Sequence, residues 1–136
     1  MIDINYLAVI AAAVGNMIVG SLWYGPVFGK YWMRLNGFTP ESMNAMHLKV
    51  WQAMIGGAIT ALLMAFVLSH VAIAFMAADL MGALQLAFWM WLGFTAVTIA
   101  EGFLWEGRSF ELFVLNAARS LVTLLIMASI IVLWPW

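Results

Sequence analysis

Four long apolar segments dominate the chain, at roughly 6–24, 51–75, 80–104 and 112–134, separated by one long link at 25–50 and two short ones. Each approaches the ~20 residues that a helix needs to cross bilayer hydrocarbon. No segment alternates apolar and polar positions in the manner of an outer-membrane strand. The pattern predicts an all-α membrane protein in which residues 1–136 form a single domain of four transmembrane helices, arranged as two hairpins.

The long link is an element in its own right. Phe28, Tyr31, Trp32 and Leu35 recur at helical spacing while Lys30 and Arg34 fall elsewhere, which predicts an amphipathic helix in the headgroup layer with its bases toward anionic lipid. A partner-docking surface is the alternative use of such a helix. Pro26 suits its first turn and Gly37 its end. Thr39, Pro40 and Glu41 then mark a second helix start, with Thr39 as cap. A helix continuous from there to Ser69 would measure about 45 Å at 1.5 Å per residue and would project beyond the membrane, carrying His47 as a solvated side chain.

Composition agrees with the apolar pattern, since 67% of residues are hydrophobic and 8% are charged. The net charge of −1 is less informative than where the charges lie. Lys30, Arg34 and Lys49 fall in the first link, Arg108 in the third, and Arg119 just inside the fourth span. All five bases therefore sit toward one side. The positive-inside rule makes that side cytoplasmic, giving an N-out, C-out protein of the bacterial inner membrane. Trp23, Trp32, Trp51 and Trp105 cluster at that interface, and Trp134 and Trp136 mark the other. Asp3 replaces the basic residues of a signal peptide, so the first segment is expected to remain as a helix. The chain has no cysteine, which excludes disulfides, thiolate metal sites and cysteine nucleophiles.

Small and polar residues mark the helix faces that pack together in lipid. Ala12, Asn16 and Gly20 form such a stripe on the first span, and Gly57, Ala61 and Ala65 form one on the second with Gly56 and Thr60 beside it. The third span carries Gln85, Gly93, Thr95 and Thr98, and the fourth Asn116 and Arg119. Glu101 and Arg119 are each nine positions from residue 110, which predicts that they share one depth across the second hairpin. Ionisable groups within a span are costly, and an intramembrane polar cluster of Glu101, Arg119, Asn116 and Asn16 is the candidate site. It reads as a hairpin-locking ion pair supported by Asn116, as a binding site for an ion, proton or anionic lipid head, or as an arginine snorkelling to the interface.

His70 is a weak candidate for a pigment or metal ligand, because neutral imidazole binds either. No second ligand lies at suitable spacing, and an interfacial side chain is the simpler reading. Trp89 and Trp91 fall mid-span, for packing or lipid contact, or else to flank a neighbouring subunit or flat cofactor. No metal site and no cofactor is predicted; bound lipid is expected, and a pigment stays open as the alternative. The chain lacks a Ser-His-Asp set, an HExxH pattern and a phosphate loop, so no enzyme is expected. Without a basic patch beyond the membrane-facing one, nucleic acid is not an expected partner.

Gly20-Ser21-Leu22-Trp23-Tyr24-Gly25-Pro26-Val27-Phe28 and Gly102-Phe103-Leu104-Trp105-Glu106-Gly107-Arg108-Ser109-Phe110 share the spacing G-x-L-W-x-G-x-x-F. Each ends an odd-numbered span. A parallel duplication of hairpins accounts for this, as does convergence on one interfacial solution.

The opening Asn5-Tyr6-Leu7-Ala8-Val9, with the stretch from Gly20 through Gly25, Phe28-Gly29-Lys30 and Trp32, resembles the bacterial family known as domain of unknown function 1761, DUF1761. Glu106-Gly107-Arg108 and Leu115-Asn116 are similar to its second signature. The resemblance implies a small four-span inner-membrane protein and brings no activity and no catalytic residue. Two functions follow as expectations. The first is a non-catalytic accessory or interaction subunit, self-associating or packed with other membrane subunits, of which a photosynthetic or respiratory assembly is one version. The second is a small oligomeric transporter or channel using Glu101 and Arg119.

Overall fold

Asn5 opens the first helix by accepting, through its side-chain oxygen, the amides of Leu7 at 3.1 Å and Ala8 at 3.2 Å. These are donors that no helical carbonyl can reach, which is why the helix starts here. The structure, a computed structural model, describes residues 3–135, and for Asn44 the backbone alone. Trp136, expected at the outer interface, lies outside the described residues.

Helix α1 (Tyr6–Leu22) runs on into a π-helical turn (Trp23–Val27) broken at Gly25, where φ −112° and ψ −107° leave the helical region beside Pro26. Phe28 closes the wide turn by donating to the Trp23 carbonyl at 2.9 Å. The chain then re-enters helix as α2 (Gly29–Asn36). Pro26 therefore belongs to the turn before α2 and not to its first turn. Gly37, at φ 71°, ends α2 in the left-handed conformation while Phe38 donates back to Met33 at 2.9 Å, a closure that favours glycine.

Thr39 caps α3 (Pro40–Asn44) reciprocally with Ser42, as Thr39-Pro40 predicted. The expected continuous helix into the second span does not form. The backbone bends between Ala45 and Lys49, and α4 (Val50–Ala74) restarts as a separate element. His47 lies exposed on that bend. Asp79 caps α5 (Leu80–Met90), which passes through a second π-helical stretch (Trp91–Ala96) into α6 (Val97–Trp105). Gly107, at φ 72°, turns the short link, and Ser109 caps α7 (Phe110–Leu133).

The four apolar helical runs span 22, 25, 26 and 24 residues. The protein is thus an all-helical, multi-pass membrane protein with two hairpins, and no strand occurs among the described residues. Helix α7 is central, packing on α1, α5 and α4, while α1 packs on α4. In lipid this association rests on close contact rather than on the hydrophobic effect, and the core is correspondingly built from alanine. Ala12, Ala65, Ala83, Ala87 and Ala128 are fully buried around Met127 and Leu86. Ala12 and Asn16 on α1 and Ala61 and Ala65 on α4 face inward as their stripes predict, whereas Gly56 and Thr60 are exposed. On the third span the stripe does not face inward: Gln85 and Gly93 are exposed, and Ala83, Leu86 and Ala87 make the contact.

The repeated G-x-L-W-x-G-x-x-F segments adopt different backbones. The first forms the π turn, with Trp23 half-buried against Phe28; the second ends in the Gly107 turn, with Trp105 84% exposed. That difference favours convergence over a structurally preserved duplication.

Candidate functional site

At the end of the bundle that carries the two polar links, α6 leans away from the core and contributes no buried residue. A cavity of about 810 Å³ opens between α6 and α7, beneath α2 and Phe38, with Tyr24 from the first π turn and Met64 from α4 completing its walls. Its polar lining comes from Thr98 and Glu101 on α6, and from Asn116, Arg119 and Ser120 on α7. Helix α2 is fastened over it. Tyr31 donates to the Glu111 carboxylate on α7, and Tyr24, Trp32 and Phe38 form an aromatic run with centroids 5.1 and 5.3 Å apart. The Glu111 hydrogen bond, reinforced by partial burial and the nearby negative charge, raises the Tyr31 phenol above its ordinary 10.0.

Arg119 is the deepest charge. Its Nη2 donates to Asn16 Oδ1 at 3.0 Å, and its guanidinium lies 5.9 Å from the Tyr24 ring centroid. Asn16 is itself buried and donates toward the sulfurs of Met64 and Met127, both at 3.6 Å. Since Met127 is about two turns deeper on α7 than Arg119, the arginine reaches into the bundle instead of snorkelling outward. Gly20 permits this approach, because a Cβ there would stand 2.8 Å from Nη2. Arg119 Nε is buried with no partner among the described residues.

Glu101 lines the same cavity, yet it does not pair with Arg119. Among the described residues the ion pair found is Glu106 with Arg108, 3.3 Å apart at the rim and exposed. The reason is register. The rings of Phe103 and Phe110 meet 5.4 Å apart, and the Trp91 indole donates to the Ala117 carbonyl at 2.8 Å and the Ser120 hydroxyl at 3.2 Å. These contacts centre the hairpin near residue 106, not 110. Arg119 is then level with about Leu92, so that Glu101 lies some 7–9 residues nearer the link, roughly 10–13 Å along the axis at 1.5 Å per residue. The expected same-depth clasp is therefore replaced by two charges at different depths of one cavity.

Asn116 does not support an ion pair either; its Oδ1 accepts from the Tyr24 hydroxyl at 2.6 Å. Asn16, grouped with these residues on its stripe alone, is Arg119's direct partner. The sequence reading missed the Trp91 indole as a ligand of α7, and missed Tyr24 altogether. Neither contact is local, with 92 and 26 residues separating the partners, so the sequence carried no short-range signal for them. Trp89 and Trp91 do not act as a pair: Trp91 is half-buried, and Trp89 is 60% exposed on the outer face. His70 lies on α4 with Nδ1 2.9 Å from the Phe66 carbonyl and its ring edge-on to Phe66. No three metal-ligating side chains converge among the described residues.

A family model described as Protein of unknown function (DUF1761) matches residues 7–132. No curated protein and no solved structure matches the chain.

Proposed function

The chain belongs to the DUF1761 family, and from the geometry of its cavity we propose that it is a non-catalytic binding and transport unit, taking a small polar solute into the membrane from the side of the two polar links. The observation that carries this reading is the pair of opposite charges, Glu101 and Arg119, lining one cavity of about 810 Å³ with no ion-pair partner among the described residues. Glu101 is exposed while Arg119 is half-buried with its Nε enclosed, so the cost of a missing counterion falls on the arginine, and functional sites retain such costs. Placing Lys30, Arg34, Lys49 and Arg108 in the cytoplasm of a bacterial inner membrane makes the cavity mouth cytoplasmic. Four spans offer no through-path, so movement across the membrane would require a second copy.

The cysteine-free chain makes the test direct. Thr98→Cys and Ser120→Cys should react with membrane-impermeant charged thiol reagents, while Phe94→Cys on the outer face of the third span should not. Protection of both cavity positions from the reagents would overturn the proposal. So would solute uptake into proteoliposomes that is indifferent to Glu101→Gln and Arg119→Met.

A second reading, an accessory subunit or homo-oligomer, draws on the outer surface. Gly56 and Gly93 are exposed with open space where a Cβ would stand, and Trp89 lies exposed on the third span. Such surfaces suit close helix approach as well as lipid contact. An apolar groove of about 440 Å³ between α1 and α4, lined by Met17, Leu22, Met54 and Leu62, supports lipid as a partner, since an acyl chain suits such a lining. Cross-linking between Gly56→Cys copies in native membranes distinguishes self-association from lipid contact.

A further inference from the structure

Resting on the reading of the cavity as a ligand site, we infer that its ligand is a zwitterion whose anionic group binds at Arg119 and whose ammonium group binds near Glu101. Arg119 has five N–H donors in a fixed fork. One is taken by the neutral amide of Asn16, Nε is buried without a partner, and no carboxylate of the described residues lies within ion-pair distance. The guanidinium therefore lacks an anion at the deep end. Glu101 lacks a cation at the shallow end, because Arg108, the other base on the wall, is engaged by Glu106.

The two charges select against singly charged ligands. An anion alone at Arg119 leaves the exposed Glu101 to water, and a cation alone at Glu101 leaves the half-buried Arg119 without an anion. A zwitterion with charges several bonds apart satisfies both. The neutral lining between them, Asn116, Ser120 and Thr98, supports a polar or short aliphatic middle. The rings of Tyr24, Trp32 and Phe38 line the same cavity at successive inclinations of 50° and 69°. Aromatic walls in a cavity that also carries a carboxylate are a favourable setting for an organic ammonium group.

The test uses the full chain in lipid nanodiscs, with tryptophan fluorescence reporting occupancy through Trp32 and Trp91. The probes are 6-aminohexanoate, hexanoate, hexylammonium and glycine. Saturable binding is expected for 6-aminohexanoate, with hexanoate and hexylammonium about tenfold weaker or more, the scale of losing one charge-assisted contact. Glycine, with its charges adjacent, should bind more weakly still. Glu101→Gln, at an exposed position, should remove the preference for 6-aminohexanoate over hexanoate. Arg119→Met should remove binding of both, with Arg119→Lys retaining part of it as the check on folding. Equal affinity for hexanoate and 6-aminohexanoate overturns the zwitterion while leaving the cavity as an anion site. Absence of saturable binding by every probe, with Thr98→Cys and Ser120→Cys still labelled, overturns the inference alone; loss of that labelling removes the cavity reading beneath it.

Discussion

Replacing Gly20 by alanine tests whether the half-buried Arg119 is held where the structure puts it. The new Cβ would lie 2.8 Å from Arg119 Nη2 and 3.7 Å from Cζ. Ordinary contact begins near 3.4 Å, so the guanidinium has to retreat from α1 by about 0.6 Å. Asn16 lies one turn away on the same face, and the 3.0 Å bond to it would stretch to the edge of hydrogen-bond range. Losing a bond to a charged group costs ~1.5–3 kcal/mol. The better helix propensity of alanine returns ~0.5–1 kcal/mol, leaving a net loss of about 1–2 kcal/mol. Gly57→Ala is the control, because its Cβ would meet Met17 Sδ at an ordinary 3.6 Å and should stabilise slightly. In an Asn16→Ala background there is no bond left to break, and Gly20→Ala should become neutral or stabilising. Thermal unfolding of the four variants in one detergent measures the cycle. A Gly20→Ala effect of the same sign and size in both backgrounds would refute the contact between Arg119 and Asn16.

Trp91→Phe keeps the ring but removes the donations to Ala117 and Ser120, and should lower stability by about 1–2 kcal/mol, whereas Trp89→Phe on the outer face should change it little. Ultraviolet titration should find Tyr31 ionising above 10.0, and Glu111→Gln should bring it back toward that value. A phenol whose folded pKa is raised favours folding below its unfolded pKa, so the docking of α2 should be intact below about pH 10 and be lost as pH climbs through the raised value. Asp79→Ala removes the cap on Gly82 and should destabilise by ~1 kcal/mol, with faster hydrogen exchange confined to the first turn of α5.

The spans were legible because hydropathy over twenty residues outweighs any local preference, and the cap at Thr39 because it is a short-range pattern. The contents of the cavity were legible only in part. Glu101, Arg119, Asn116 and Asn16 could be picked out as polar residues among apolar ones, which fixes identity but not depth. Counting about residue 110 put Glu101 and Arg119 at one depth, but Phe110 is the first residue of α7 and the link before it runs from Glu106 to Ser109. The contact of Phe103 with Phe110 accordingly centres the hairpin near residue 106 and separates the two charges. The break at Ala45–Lys49 was hidden because the residues there suit a helix, while the structure bends at this point and α4, packed on α1, starts anew at Val50.

The six residues from Trp91 to Ala96 have a consequence for how this protein can change. A π turn holds an extra residue against the α-helical count, so it acts as a phase slip that rotates everything after it by about 100°. Alpha-helical winding through this stretch would aim a different side of α6 at α7 and carry Glu101 around the barrel of the helix. The cavity is in this sense an indel written into the backbone's winding. Deleting Gly93 should let this stretch wind as plain α-helix with α6 still presenting its present face to α7, because the π turn already absorbs the extra residue, whereas α-helical winding of the intact sequence would turn α6 by about 100°.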